Sequence, residues 1–321
     1  MTSSTAASPT STATLAASTL PTATAPLVYL KLVSVTLFWG GTFIAGRILA
    51  QAVPPLVAAS GRFAVAVALL LLLAWKLEGG LPRLSRQQIG MTAALGFFGV
   101  FVYNLCFFAA LARMPAGRTA LFVALNPIVT ALASAVLFRE RLGPVKWAGI
   151  ALAFLGAAVV ITRGDPAGAL HDIGQSVGMG EVLMFCAISS WAVYTIIGRS
   201  ALKGLTPLAA TTYAAMWGLA FLASGASFEL ASVDWSKFTW QVWASIFYLG
   251  IFGTVLGFVW YYEGVKAIGP SRTAVFNNLV PVFGVGLAAA LLGEPILGSM
   301  IVGGALAIVG VTLTNRTPKA G

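Results

Sequence analysis

Arg62 lies seven residues into an apolar run, at about residues 56 to 77, that carries no other charge before Lys76. A guanidinium in such surroundings must find water, a carbonyl or a carboxylate, because an unpaired charge is costly in an apolar medium. Its partner is not legible in the sequence. Glu263 is the acid most deeply embedded by position, near the end of another run and three residues before Lys266. It could pair with Lys266 at i,i+3 or exchange a proton.

Two further constellations have the spacing of helical faces. Gly96, Gly99, Tyr103 and Phe107 recur at i, i+3, i+7 and i+11, and Gly250, Gly253, Gly257 and Tyr261 repeat that spacing. Small residues allow close backbone approach, so plain helix packing explains the glycines. The hydroxyls of Tyr103 and Tyr261 and the indole of Trp260 still need hydrogen-bond partners, which leaves packing and binding roles both open. Thr119, Phe122, Asn126 and Thr130 share a face interrupted by Pro127, and Thr273, Phe276, Asn277 and Asn278 precede Pro281. A mid-span proline frees a carbonyl one turn earlier, and nearby amides can satisfy it, line a wet cavity or cross-link helices. Arg118 and Arg272 begin two runs and are expected to reach toward headgroups, with a gating role as the alternative. Glu140 and Glu294 end two runs at corresponding places and are expected to close each structural unit, or else to make a gating contact.

The chemistry of catalysis is poorly represented. The only histidine, His171, lies in a polar linker, so no Ser/His/acid or Cys/His pair assembles in an apolar setting. HExxH, CxxC and GxxxxGK[ST] are missing, which argues against metal hydrolysis and an intrinsic nucleotide motor. Cys106 and Cys186 fall within apolar runs and read as small core residues. No catalytic residue, metal or cofactor is expected.

The elements that carry these residues are membrane spans. The chain is 59% hydrophobic and 9% charged, with a mean hydropathy of +0.92; soluble domains carry roughly a quarter charged residues. Ten apolar runs lie at about 28 to 50, 56 to 77, 87 to 112, 116 to 137, 145 to 162, 178 to 198, 207 to 228, 239 to 263, 272 to 292 and 298 to 315. Each can cross a hydrocarbon core of roughly 30 Å at about 1.5 Å per residue. With the N-terminus inside, only Arg47, Arg113, Arg118, Arg163 and Lys237 fall outside, and the positive-inside rule places both termini in the cytoplasm. The net charge of +10 then faces anionic headgroups, so nucleic acid is not an expected partner. Trp75, Trp147, Trp235 and Trp240 read as interfacial anchors.

The runs are duplicated. At an offset of 154, Gly96 falls on Gly250, Gly99 on Gly253, Arg118-Thr119-Ala120 on Arg272-Thr273-Ala274, Pro127 on Pro281, Glu140 on Glu294, Gly149 on Gly303 and Gly156 on Gly310. At an offset of 152, Trp39 falls on Trp191, Gly46-Arg47 on Gly198-Arg199 and Pro55 on Pro207. An odd number of spans per copy inverts the second copy. The expected fold is an all-α membrane protein of ten transmembrane helices in two inverted five-helix repeats, at 28–162 and 178–316. A disordered cytoplasmic tail (1–27), an extracytoplasmic linker (163–177) and a short cytoplasmic tail (317–321) complete it.

The run Trp260-Tyr261-Tyr262-Glu263-Gly264-Val265, followed by Ile268-Gly269-Pro270-Ser271-Arg272-Thr273-Ala274, Phe276-Asn277-Asn278-Leu279-Val280-Pro281 and Gly293-Glu294, resembles the signature of the EamA-type branch of the drug/metabolite transporter superfamily. The first half matches in Trp39-Gly40-Gly41-Thr42-Phe43, Met114-Pro115-Ala116-Gly117-Arg118-Thr119-Ala120, Asn126-Pro127 and Glu140. The resemblance implies a central cavity lined by the first, third, fourth, sixth, eighth and ninth helices, and export or import of small metabolites. On it, the lining is Tyr103, Asn104, Phe107, Asn126, Trp191, Tyr194, Trp260, Tyr261 and Asn277. Asn126 stands opposite Val280, and Asn277-Asn278 opposite Val123-Ala124, which suits an asymmetric cargo.

An aromatic and amide lining suits a neutral or zwitterionic solute with an apolar side chain. Within the resembled family the exporters of aromatic and other neutral amino acids fit best, working by alternating access in the inner membrane. Gly99, Pro127, Gly253 and Pro281 would serve as hinges or gates, and Arg62 and Glu263 as a coupling group or ion pair. The expected partners are that small molecule and the lipid bilayer, with no nucleotide; a monomer is compatible with the sequence. A broad drug exporter and a non-transporting membrane receptor remain rival readings.

Overall fold

Every element among the described residues is helical, and the helix ends follow local chemistry. A computed structural model of the protein describes residues 25–139, 143–165, 178–201, 204–268 and 276–314. Most of the N-terminal tail, Glu140, most of the linker with His171, Arg272 with Thr273, and the C-terminal tail lie outside the described residues. Helices α1 (Ala25–Ala52) and α2 (Pro55–Glu78) are followed by α3, which joins Arg86–Leu95, a π-helical Gly96–Val102 and Tyr103–Leu111. Helix α4 consists of Ala116–Val123 and Asn126–Phe138, and α5 is Pro144–Ile161. Then come α6 (Met179–Ala201), α7 (Pro207–Glu229) and α8, which joins Trp240–Gly250, a π-helical Ile251–Leu256 and Gly257–Ile268. Helices α9 (Leu279–Leu292) and α10 (Gly298–Thr314) complete the described residues.

Among the described residues eight helices are long and apolar enough to cross a membrane. Helices α9 and α10 are equally apolar but shorter, at 14 and 17 residues. Prolines at Pro55, Pro144 and Pro207 open their helices, where a missing N–H leaves nothing unpaired. Ser85 and Gln88 form a capping box at the start of α3, and Gly79 ends α2 with φ 72°. Trp75, Trp147, Trp235 and Trp240 are exposed, as interfacial anchors should be.

Two expectations about the central helices are corrected. The glycine stripes of α3 and α8 do not lie on straight α-helical faces, because both pass through π-helical turns that close i→i+5 bonds. The wider turn points successive glycines at different neighbours: a Cβ on Gly96 would lie 2.6 Å from Trp217 Cβ of α7, and one on Gly99 would lie 2.1 Å from the Tyr194 ring of α6. In α8, Gly250 meets Val65 of α2, and Gly253 meets Thr42 of α1. Nor is Pro127 in a helix interior. It occupies the first turn of the second half of α4, after a break at Ala124–Leu125, and Pro281 is the third residue of α9, after a turn at Asn277–Asn278. Helix starts tolerate proline, so the half-helix geometry removes the cost that an intact helix would bear.

Helices α5 and α10 cross with their backbones almost touching. A Cβ on Gly149 would meet the Gly310 carbonyl oxygen at 2.6 Å, and one on Gly156 would meet that of Gly303 at 2.5 Å. Later residues of α5 meet earlier ones of α10, so the two helices run antiparallel. In lipid such contacts hold helices through van der Waals packing. Gly303→Leu should therefore cost about 1–3 kcal/mol through overpacking, read as a lower thermal midpoint in detergent. Gly286→Ala, whose new methyl meets nothing within 4 Å, should leave the midpoint unchanged.

Candidate functional site

The π turn of α8 prepares one corner of a central cavity. Thr254 donates its hydroxyl to the Leu249 carbonyl five residues back, at 2.9 Å, and accepts from Nε and one terminal nitrogen of Arg62, both at 3.2 Å. The other terminal nitrogen of Arg62 donates to Asn104 Oδ1 at 3.0 Å. Asn104 in turn donates from Nδ2 to the Val100 carbonyl at 2.7 Å, so both ends of its amide are engaged. The partner that the sequence leaves open for Arg62 is thus a pair of neutral oxygens from α3 and α8. Arg62 is 9% exposed and Asn104 1%.

Aromatic rings form the facing wall. Tyr103 and Trp191 lie 5.4 Å apart between centroids, and Trp191 and Tyr194 lie 5.1 Å apart. Gly99 makes room for the Tyr194 ring, which any side chain on α3 at that point would displace. Phe107 stacks on Tyr103 at 5.8 Å from a buried position against Phe43. The cavity between these walls is about 50 Å³ and is bordered by Arg62, Phe63, Gly99, Val100, Tyr103, Asn104, Trp191, Tyr194, Thr211, Ala214, Ala215, Thr254 and Phe258. A smaller apolar gap of about 10 Å³ between α4, α5 and α10 holds no polar side chain.

The remaining sequence candidates lie elsewhere. Trp260 packs on Phe38 at 5.8 Å and under the Lys31 ammonium at 5.7 Å, near the end expected to be cytoplasmic. Tyr261 contacts Trp39 at 5.5 Å and is hydrogen-bonded to the Asn277 side chain, while Trp39 donates to the Gly253 carbonyl at 3.1 Å. Asn126 stands at the break of α4 and Asn277 in the turn before α9, each with a buried amide oxygen that lacks a partner among the described residues. None of these four borders the cavity around Arg62.

Glu263 lies on the protein surface and pairs with Lys31 of α1 at 2.6 Å. The side chain of Lys266 lies outside the described residues. Among the described residues the buried acid is Glu181, which pairs with Arg118 at 2.9 Å and accepts the Gly178 N–H at 3.0 Å. Arg118 therefore does not reach for headgroups; it also donates to the Ile161 carbonyl at 2.8 Å at the end of α5. Glu294 accepts the N–H groups of Ala116 and Gly117 at 2.8 and 2.9 Å and caps α4. Arg47 donates to the carbonyls of Leu111 and Met114 at the end of α3. These bonds tie together the end expected to face outward. Cys106 and Cys186 are free thiols in mutual contact between α3 and α6, and Cys186 is exposed rather than buried in a core.

The family of EamA-like transporters matches residues 26–162 and again 178–316. The chain belongs to this family. It is accordingly a multi-pass membrane transporter. EamA-like relatives include the "Uncharacterized transporter YyaM" of Bacillus subtilis (strain 168), 31% identical over 91% of this chain and 95% of that protein. The "Probable amino-acid metabolite efflux pump" of Salmonella typhimurium (strain LT2) is 30% identical over 86% of this chain and 91% of its own. One solved crystal structure shares the fold at a TM-score of 0.61 and 21% identity, over 90% of this chain and 97% of that one.

The twofold EamA match also exposes a signal that sequence reasoning missed. Four pairs of cavity residues are repeat-related: Arg62 with Ala214 and Phe63 with Ala215 at an offset of 152, and Asn104 with Phe258 and Thr254 with Val100 at 154. Phe63 and Ala215 are both apolar; in the other three pairs one member is polar and one apolar, and those polar members bond to one another. The asymmetry is readable from the aligned halves, but without coordinates nothing distinguishes these positions from many other mismatches.

Proposed function

We propose that the protein exports small neutral or zwitterionic metabolites, chiefly aromatic and other neutral amino acids, across the inner membrane by alternating access. The observation that carries this reading is the central cavity, which joins an aromatic wall of Tyr103, Trp191 and Tyr194 to a polar corner of Arg62, Asn104 and Thr254. Stacking and apolar contact suit the cargo side chain, and hydrogen bonds suit its polar end. The name of the Salmonella typhimurium relative points the same way.

In this reading ten helices form two inverted repeats with both termini cytoplasmic. The antiparallel crossing of the repeat-related α5 and α10 supports the inversion, and the break in α4 and the turn at the matching place before α9 suit a hinge near the midplane. Pro127 and Pro281 start the moving half-helices, while Gly99 and Gly253 sit in π turns that give their helices room. Asn126, Asn277 and Tyr261 line the cavity in another state of the cycle, where the amide oxygens of the two asparagines gain partners.

Lys31 and Glu263 form a latch between α1 and α8 at the cytoplasmic end. An exposed ion pair contributes about 0–1 kcal/mol, so Glu263→Gln should barely change the thermal midpoint. A several-fold change in transport rate without loss of stability would mark the latch as part of the gate.

The test is uptake of radiolabelled phenylalanine, tryptophan and threonine, and of a cationic dye, into liposomes holding the purified protein, with and without a pH gradient. Amino-acid flux supports the reading. Flux of the dye alone would make the protein a drug exporter, and binding without flux a receptor.

A further inference from the structure

Arg62 is a buried cation whose charge no carboxylate balances among the described residues. Around it stand Phe63 on its own helix, Asn104 and Tyr103 on α3, and Thr254 on α8; the ionisable group that faces it is the Tyr103 phenol. A guanidinium has five N–H donors. Three are used here, by Thr254 twice and Asn104 once, which leaves one N–H on each terminal nitrogen without a partner. The group borders the central cavity.

We propose that Arg62, positioned by Asn104 and Thr254, is the receptor for a carboxylate on the cargo. Two parallel N–H donors on a planar fork match the two oxygens of a carboxylate. The inference deepens the transport reading and rests on the same cavity being the place where cargo sits. Broken repeat symmetry supplies the orientation: the polar corner of Arg62, Asn104 and Thr254 takes the carboxylate, and Val100, Ala214 and Phe258 face the apolar side chain. The rings of Tyr103, Trp191 and Tyr194 offer π faces to an ammonium. One cation suits one carboxylate and falls short of the several that a phosphate ester would need. A bound carboxylate would supply a counter-charge that the described residues around Arg62 do not, so binding would couple cargo to the junction of α2, α3 and α8.

The experiment compares wild type with Arg62→Gln and Arg62→Lys in lipid nanodiscs, by calorimetric titration with 3-phenylpropionate, phenethylamine, phenylalanine and sodium chloride. Phenylpropionate has the carboxylate without the ammonium, and phenethylamine the reverse. Wild type should bind phenylpropionate and phenylalanine. Arg62→Gln should weaken both by about 10- to 100-fold, the range for a charge-assisted hydrogen-bond pair, while phenethylamine changes little. Arg62→Lys keeps the charge without the fork and should fall between, which separates recognition from misfolding. Equal weakening of acid and amine would mean that Arg62 only pins helices together, and would overturn the proposal. So would a wild type that binds no carboxylate, or binds chloride alone.

Liposome uptake of phenylalanine separates the two readings. Carboxylate binding through Arg62 without amino-acid flux keeps this site and removes the export reading. Phenylalanine flux with unchanged selectivity in Arg62→Gln keeps export and removes this site.

Discussion

Replacing Glu181 with alanine should destabilise the protein by about 3–5 kcal/mol, the range for breaking a buried ion pair. The substitution leaves Arg118 charged, largely buried and dependent on one carbonyl, that of Ile161. Arg118 Nε already lacks a partner, so the guanidinium has little reserve. The same change uncaps the first turn of α6, where Glu181 accepts the Gly178 N–H. The check is the thermal midpoint of purified protein in detergent. The double variant Glu181→Leu with Arg118→Met should recover most of the loss, because two apolar side chains carry no desolvation penalty. A single variant as stable as wild type would mean that water reaches Arg118 and that the outer end is not sealed as described.

Gly99→Ala should reduce transport by about tenfold or more, which equals about 1.4 kcal/mol of lost interaction, with only a small change in stability. The new methyl would lie 2.1 Å from the Tyr194 ring, and the ring can swing aside. Tyr194 borders the cavity, so its displacement changes the space available to cargo. Gly96→Ala, three residues earlier, should do the opposite. There the methyl meets the Ala214 carbonyl oxygen and the Gly218 nitrogen, both at 2.7 Å, and backbone cannot move aside. Its expected cost is about 1–3 kcal/mol of stability, and surviving protein should transport normally. Flux and thermal midpoint measured on both variants decide the matter. Equal transport by Gly99→Ala and wild type would remove Tyr194 from the cargo wall.

Part of the candidate site was legible as residue types. Tyr103, Asn104, Trp191 and Tyr194 come together with Arg62, whereas Phe107, Asn126, Trp260, Tyr261 and Asn277 do not border the same cavity. Their arrangement was not legible. Asn104 is spent on holding Arg62, which requires knowing that α2 and α3 approach at that height. Thr254 carried no mark in the sequence, because its role depends on a π turn, and the backbone i→i+5 pattern leaves no residue signature beyond glycines that also suit ordinary packing.

The sequence alone determined the class of the protein: apolar runs long enough for lipid, a duplication at offsets of 152 and 154, and Glu294 as a structural closure that does cap a helix. These are properties of composition and period, which every window of the chain expresses locally. Tertiary structure decided which charges meet. Glu263 meets Lys31, 232 residues away, and Arg118 found Glu181 rather than a headgroup. Long charged side chains have several partners within reach along a helix, and the energy differences among them are set by burial. Burial is fixed only when helices from both halves of the chain pack against one another.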